Sequence, residues 1–118
     1  VVLPAADEVP DPIRPLGPVG EQTWERIWKA GRVWLAATAD LEAVQLICEL
    51  QDERIALRAR VLLGGCDWRD RTGLRKLDVL VADGLGSIGF TPAERTRMAV
   101  GEVRATSTLE RLRASRVN

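Results

Sequence analysis

The chain has 118 residues, enough for one domain with a modest core, and its 17 basic side chains balance 17 acidic ones. Neutrality removes the simple argument from bulk charge to nucleic acid, and the absence of His excludes a catalytic imidazole or a His-bound metal within these residues. The charge is nevertheless graded: residues 1–50 hold four basic and eight acidic groups (net −4), residues 51–88 seven and six (+1), and residues 89–118 six and three (+3).

Residues 1–20 contain Pro4, Pro10, Pro12, Pro15 and Pro18 with Gly17 and Gly20. That density opposes helix and predicts an extended segment, either an unordered leader or an arm along a neighbouring subunit. The remainder, 21–118, is expected to be a helical domain. Beyond Gly20, Trp24, Ile27, Trp28, Gly31, Trp34 and Leu35 recur at three- and four-residue steps, with Glu25, Arg26, Lys29 and Arg32 on the opposite face. The segregation makes the tryptophans core or interface anchors and argues against a base-stacking platform.

Thr38 or Asp40 can cap the next helix, Glu42 falls in its first turn, and no Gly or Pro interrupts the run to Leu63. At ~1.5 Å per residue it is about 36 Å long. Its apolar residues, from Leu41, Val44 and Ile47 through Leu50, Leu57 and Leu62, spread over roughly 200° of arc, more than one neighbouring helix covers. Contacts on two sides are therefore expected, either within a compact monomer or, as the preferred reading, with one side against an adjacent subunit. Arg54 and Arg58 project into this arc, where burial without a partner is expensive, and they are assigned to assembly contacts through carboxylates or to the point where the arc emerges into solvent.

Gly64-Gly65 ends the long helix, and Cys66 to Gly73 is expected to form a charged loop containing Trp68. Arg69 and Arg71 there, with Arg75 and Lys76 beyond, form a candidate phosphate-gripping surface, weighed against an Asp/Arg-paired loop with Trp68 closing over the core. Leu74, Leu77, Val81, Leu85 and Ile88 define a third amphipathic helix. Gly89 suits a left-handed stop, Thr91 can cap, Pro92 fits a first turn and Glu94 a capping box, so two helices should meet at a sharp corner. Such a corner suits an ordinary bundle or a helix-turn-helix reader, in which Arg95 and Arg97 would matter most. Ser107 and Glu110 offer a further capping box before Arg111, Arg113 and Arg116. The expected fold is all-α, with four to five helices, a long central helix pair and a proline-rich N-terminal arm, forming oligomers.

No nucleophile with a base, paired-carboxylate site or phosphate-cradling loop stands out, so a non-catalytic binding and assembly component is expected, with no cofactor and no metal. Cys48 and Cys66 are too few for zinc and lack a Cys-x-x-Cys spacing. They read as a core thiol and a loop thiol, both reduced. No run approaches the ~18 apolar residues that span a bilayer, and no secretory leader is visible, so a soluble intracellular protein without a membrane partner is expected.

The pieces from Leu74 through Leu112 are Leu-Arg-Lys-Leu-Asp, Gly-Phe-Thr-Pro-Ala-Glu-Arg-Thr-Arg-Met, Gly-Glu-Val-Arg and Leu-Glu-Arg-Leu. In this order they resemble the C-terminal part of small terminase subunits of tailed bacteriophages, particularly those of actinobacterial hosts. With the Trp-rich and long helices, the resemblance covers residues 17–114. It implies a homo-oligomeric ring in the cytoplasm of the infected host. Such a ring recognises double-stranded viral DNA and presents it to a large terminase subunit carrying the ATPase and nuclease. On that reading Arg69, Arg71, Arg75, Lys76, Arg95 and Arg97 are candidate DNA contacts, while Trp24, Trp28, Trp34, Ile47, Leu50, Arg54, Leu57 and Arg58 are candidate subunit contacts. The chain departs from the family in showing no strongly basic N-terminal recognition domain. Alternatives from other classes are a dimeric helix-turn-helix transcription regulator and a phage head connector protein.

Overall fold

The structure, a computed structural model, describes residues 8–92 and 107–115, and all regular secondary structure among them is helical. Three principal helices follow one another, α1 (Pro18–Ala30), α2 (Leu41–Leu63) and α3 (Trp68–Ser87), and residues 107–115 form a further helical segment. α2 is central, packing against both α1 and α3. This is the two-sided coverage that its wide apolar arc calls for. Both neighbours belong to the same chain.

α1 begins three residues earlier than the first helical residue expected, with Pro18 in its first turn, where a missing N–H costs nothing. Gly17, its N-cap residue, has no side chain to cap with, and the cap comes from α2 instead. The Asp52 carboxylate accepts hydrogen bonds from the Gly17 and Gly20 N–H groups, each at 2.7 Å. A Cβ on Gly20 would lie 2.2 Å from Asp52 Oδ2 and 3.0 Å from the Cys48 carbonyl oxygen, so the two backbones approach closely because this residue is glycine. The helix stops at Ala30, short of the expected run through Trp34 and Leu35. The Gly31 N–H bonds Ile27 O at 2.8 Å, and the chain turns so that Trp34 reaches Ile88 O with its indole N–H at 2.7 Å. Trp34 also lies against Phe90, ring centroids 5.3 Å apart.

α2 starts after Asp40, as expected, although the Asp40 carboxylate bonds the Ala36 N–H at 2.8 Å and not the helix's own first turn. It ends at Gly64, in the left-handed region. α3 starts at Trp68, so most of the stretch expected to be a loop is helix. The reason is a capping box: Asp67 accepts from the Arg69 and Asp70 N–H groups while Asp70 receives the Asp67 N–H. The left-handed stop expected at Gly89 is present at the other end, while the helix expected to leave the corner, with Glu94, falls on residues 93–106, outside the described residues. Gly89 has φ of 91°, and the Phe90 N–H closes on Leu85 O at 2.8 Å.

The core gathers at one end of the hairpin that α2 and α3 make. Trp24, Ile27 and Trp28 of α1, Val44, Ile47 and Cys48 of α2, and Ile88 after α3 are buried together, with Leu16, Leu35, Leu41, Leu85 and Phe90 at the margin. Beyond Asp52, α1 gives α2 no further cover, since its N-terminus is held at that residue. Among the described residues, the far half of the hairpin consists of two helices.

Candidate functional site

The basic candidates on α3 form one surface. At ~100° per residue, Arg69 and Lys76 lie along one flank of the helix and Arg71 and Arg75 along the other, on either side of the line through Thr72 and Val79. All four side chains are exposed. Thr72, Arg75, Lys76, Val79 and Leu80 line an open depression of about 460 Å³ whose floor is apolar. Arg69 lies over the Trp68 ring, 5.0 Å from its centroid, and 3.8 Å from Asp67.

The acidic groups of the same region are committed elsewhere. Asp67 and Asp70 form the capping box, Asp70 also meets Arg60 at 3.3 Å, and Asp78 receives Arg54 from α2. Among the described residues Arg71, Arg75 and Lys76 make no salt bridge. The surface is thus locally positive on a neutral chain. Arg95 and Arg97, the remaining DNA candidates, lie outside the described residues.

The candidate subunit contacts are distributed differently from expectation. Trp24, Trp28 and Ile47 are buried inside the protomer, where α2 and the N-terminal segment cover the aromatic face of α1. Trp34 is half-buried and tied to Ile88 O; Leu50 and Leu57 are half-buried. Arg54 finds its carboxylate, Asp78, within the chain, which satisfies the charge without a second subunit. Arg58 is exposed. The large apolar side chains that face solvent include Val33 and Leu46, Leu62 and Leu63 at the end of α2, and Trp68, Val79 and Leu80 on α3, each at least half exposed. Periodicity alone carried a signal for those on α3, because it bears Trp68, Thr72, Arg75 and Val79 opposite its buried Leu74 and Val81.

A second constellation holds residues 10–17. Gln45, the largest fully buried side chain, accepts from the Ile13 N–H at 3.0 Å and donates to Arg14 O at 3.1 Å. Trp24 donates its indole N–H to Pro10 O at 2.7 Å. Arg14 bonds Glu42 and Glu49 at 2.8 Å each. The hydrogen bonds to Glu49 and Glu42 raise the guanidinium pKa further, and the bond from Arg14 holds the Glu49 carboxyl below its usual range. For a carboxylate lowered in this way the clamp is fully formed above the ordinary carboxylate range and is lost as pH falls through the lowered value.

Cys48 lies under this seat, its thiol pushed up to about 12 by burial and then by Asp52 and Glu49, which makes it a packing group and not a nucleophile. Trp28 differs from Trp24 in that its buried indole N–H has no acceptor among the described residues. Its ring packs 5.7 Å from that of Trp24. No group of three or more metal-ligating side chains occurs among the described residues, and none of the described helices is long and apolar enough to cross a membrane.

Two surfaces therefore present themselves, a basic and apolar face on α3 and a groove between α1 and α2 that grips an extended segment through its backbone. No family model matches the chain, and comparison with curated proteins and with solved structures gives no match.

Proposed function

We propose that the protein is a non-catalytic assembly component of the small terminase type. It forms a ring of copies in the cytoplasm of an infected bacterium, engages double-stranded viral DNA and delivers it to a large subunit that supplies ATPase and nuclease. The order of motifs from Leu74 to Leu112 supports the family, and the surface of α3 supports the mode of action. The observation that carries it is the juxtaposition of Arg69, Arg71, Arg75 and Lys76 with exposed Trp68, Val79 and Leu80 on a hairpin half that two helices alone do not close. Apolar side chains in that position favour contact with another copy, while the flanking cations face outward. A few cations per protomer bind phosphate weakly, but repetition around a ring multiplies the contacts and so the affinity.

The test is DNA affinity measured on assembled protein. Replacing Arg69, Arg71, Arg75 and Lys76 together by Ala should weaken duplex binding at least about tenfold and flatten its salt dependence, since log K scales with the number of phosphates neutralised. Unchanged affinity in a variant of wild-type mass removes this surface from the mechanism. The corner at Gly89 also favours a second reading, a dimeric helix-turn-helix regulator, since it turns the chain sharply after α3 into Thr91 and Pro92. A dimeric mass by light scattering, with binding that survives the quadruple substitution, would select that reading.

A further inference from the structure

Two faces of the protomer are left open and are opposite in charge. Of the nine residues in the helical segment 107–115, eight are exposed, among them Leu109 and Leu112 at 54 and 56%. At ~100° per residue, Leu109, Leu112 and Arg113 share about 100° of arc, with Glu110 beyond its edge. A helix this short is marginal in water, so its apolar face calls for a packing surface. Arg111 and Arg113 make no ion pair among the described residues.

The second face lies at the closed end of the fold, where the arm and α1 form a depression of about 240 Å³. Pro10, Pro12 and Trp24 give it apolar walls, the arm contributes Asp11, and α1 contributes Glu21 and Glu25, one turn apart. Asp11 and Glu21 make no ion pair among the described residues. Glu25 meets Lys29 at 3.9 Å with both side chains exposed, a contact of little weight.

We propose that the helical segment 107–115 of one copy docks in the arm–α1 depression of the next, with Leu109 and Leu112 against its prolines and Arg113 among Asp11, Glu21 and Glu25. The inference rests on the oligomeric reading given above, though not on DNA binding. Charge complementarity selects the occupant. The chain is neutral as a whole, yet residues 1–50 carry −4 and residues 89–118 carry +3, so the charge that one copy leaves uncompensated at one end is supplied by the other end of a second copy. Shape agrees, since a convex helix face bearing two leucines meets a concave surface with apolar walls. Both faces are exposed in the protomer, so its own two ends do not satisfy each other. Because the two patches differ, the contact is head-to-tail, the kind that passes from copy to copy and closes a ring when the rotation permits. It leaves the cations and apolar side chains of α3 free for the contacts described above.

Charge reversal in the full chain tests the contact. One variant carries Arg113→Glu, the other Glu21→Arg with Glu25→Arg. Each is followed by light scattering alone and as an equimolar mixture, with circular dichroism confirming native helix content. Alone, each variant sets like charges against each other and should raise the concentration needed for assembly at least about tenfold. In the mixture every reversed helix finds a reversed depression on the other variant, and every native helix a native one, so assembly returns to the wild-type range. Such rescue requires contact between copies, since neither variant holds a matched pair within itself. Single variants that assemble like wild type overturn the proposal and leave the ring standing, and so does a loss of assembly that mixing fails to restore. A monomeric wild-type mass removes both readings.

Discussion

The two ends of the α2–α3 hairpin are built from the same pair of helices and end up in opposite states. At one end α1 and the arm lie over α2, and Trp24, Ile27, Trp28, Val44, Ile47 and Cys48 disappear from solvent. At the other, among the described residues, α2 and α3 have only each other, and Leu62, Leu63 and Trp68 remain 71, 86 and 67% exposed. The lesson is geometric. A helix pair covers one stripe on each member, and a third layer is needed before an arc as wide as that of α2 is enclosed. The covered end is a domain core, whereas the open end is half of one.

Substitutions at matched positions sharpen this contrast. The largest effect is expected from Trp24→Ala, which empties the centre of the closed end and breaks the bond to Pro10 O; denaturant unfolding should show a loss of about 3–5 kcal/mol. A loss under about 1 kcal/mol would mean that the arm and α1 contribute little to closure. Gly20→Ala comes next. Its methyl group would meet Asp52 and the Cys48 carbonyl, and overpacking of this kind costs about 1–3 kcal/mol, read as a lowered Tm with native helix content. Indifference to the extra methyl would show that α1 slides freely on α2. The smallest effect belongs to the open end, where Trp68→Ser should change protomer stability by no more than about 0.5 kcal/mol at low protein concentration. The same substitution should reduce the mass of the assembly at higher concentration. A large loss in the dilute protomer would show that Trp68 is enclosed after all.

What the sequence revealed of this architecture follows from how local each signal is. The long helix, its stop at Gly64 and the corner at Gly89 were legible because each depends on residues within one or two turns. The start of α3 was legible in principle from Asp67 and Asp70, a capping box written with two aspartates in place of the commoner Ser or Thr with Glu. The seat of the arm was not. Gln45 reads as an ordinary polar residue on the long helix, and only the fold reveals that it is fully buried and satisfied by a backbone 31 and 32 positions away. Arg54 illustrates the same limit: the need for a carboxylate followed from its place in an apolar arc, but the choice between Asp78 of this chain and a partner's acid depends on how α3 returns along α2. For the candidate site, the cations of α3 were identifiable from their positions in the sequence, and the exposed apolar residues between them followed from the periodicity that sets Leu74 and Val81 on the opposite, buried face.

The cap that Asp52 places on α1 couples elements that short-range signals would leave independent. A helix of 13 residues is marginal in water by itself, and this one begins with a glycine that offers no hydroxyl or carboxylate to its first turn. Its start is instead written 32 and 35 residues downstream, in the middle of another helix. α1 therefore gains its boundary in the same event that docks it, and the first half of the chain behaves as one cooperative unit whose ordering waits for residue 52 to be made.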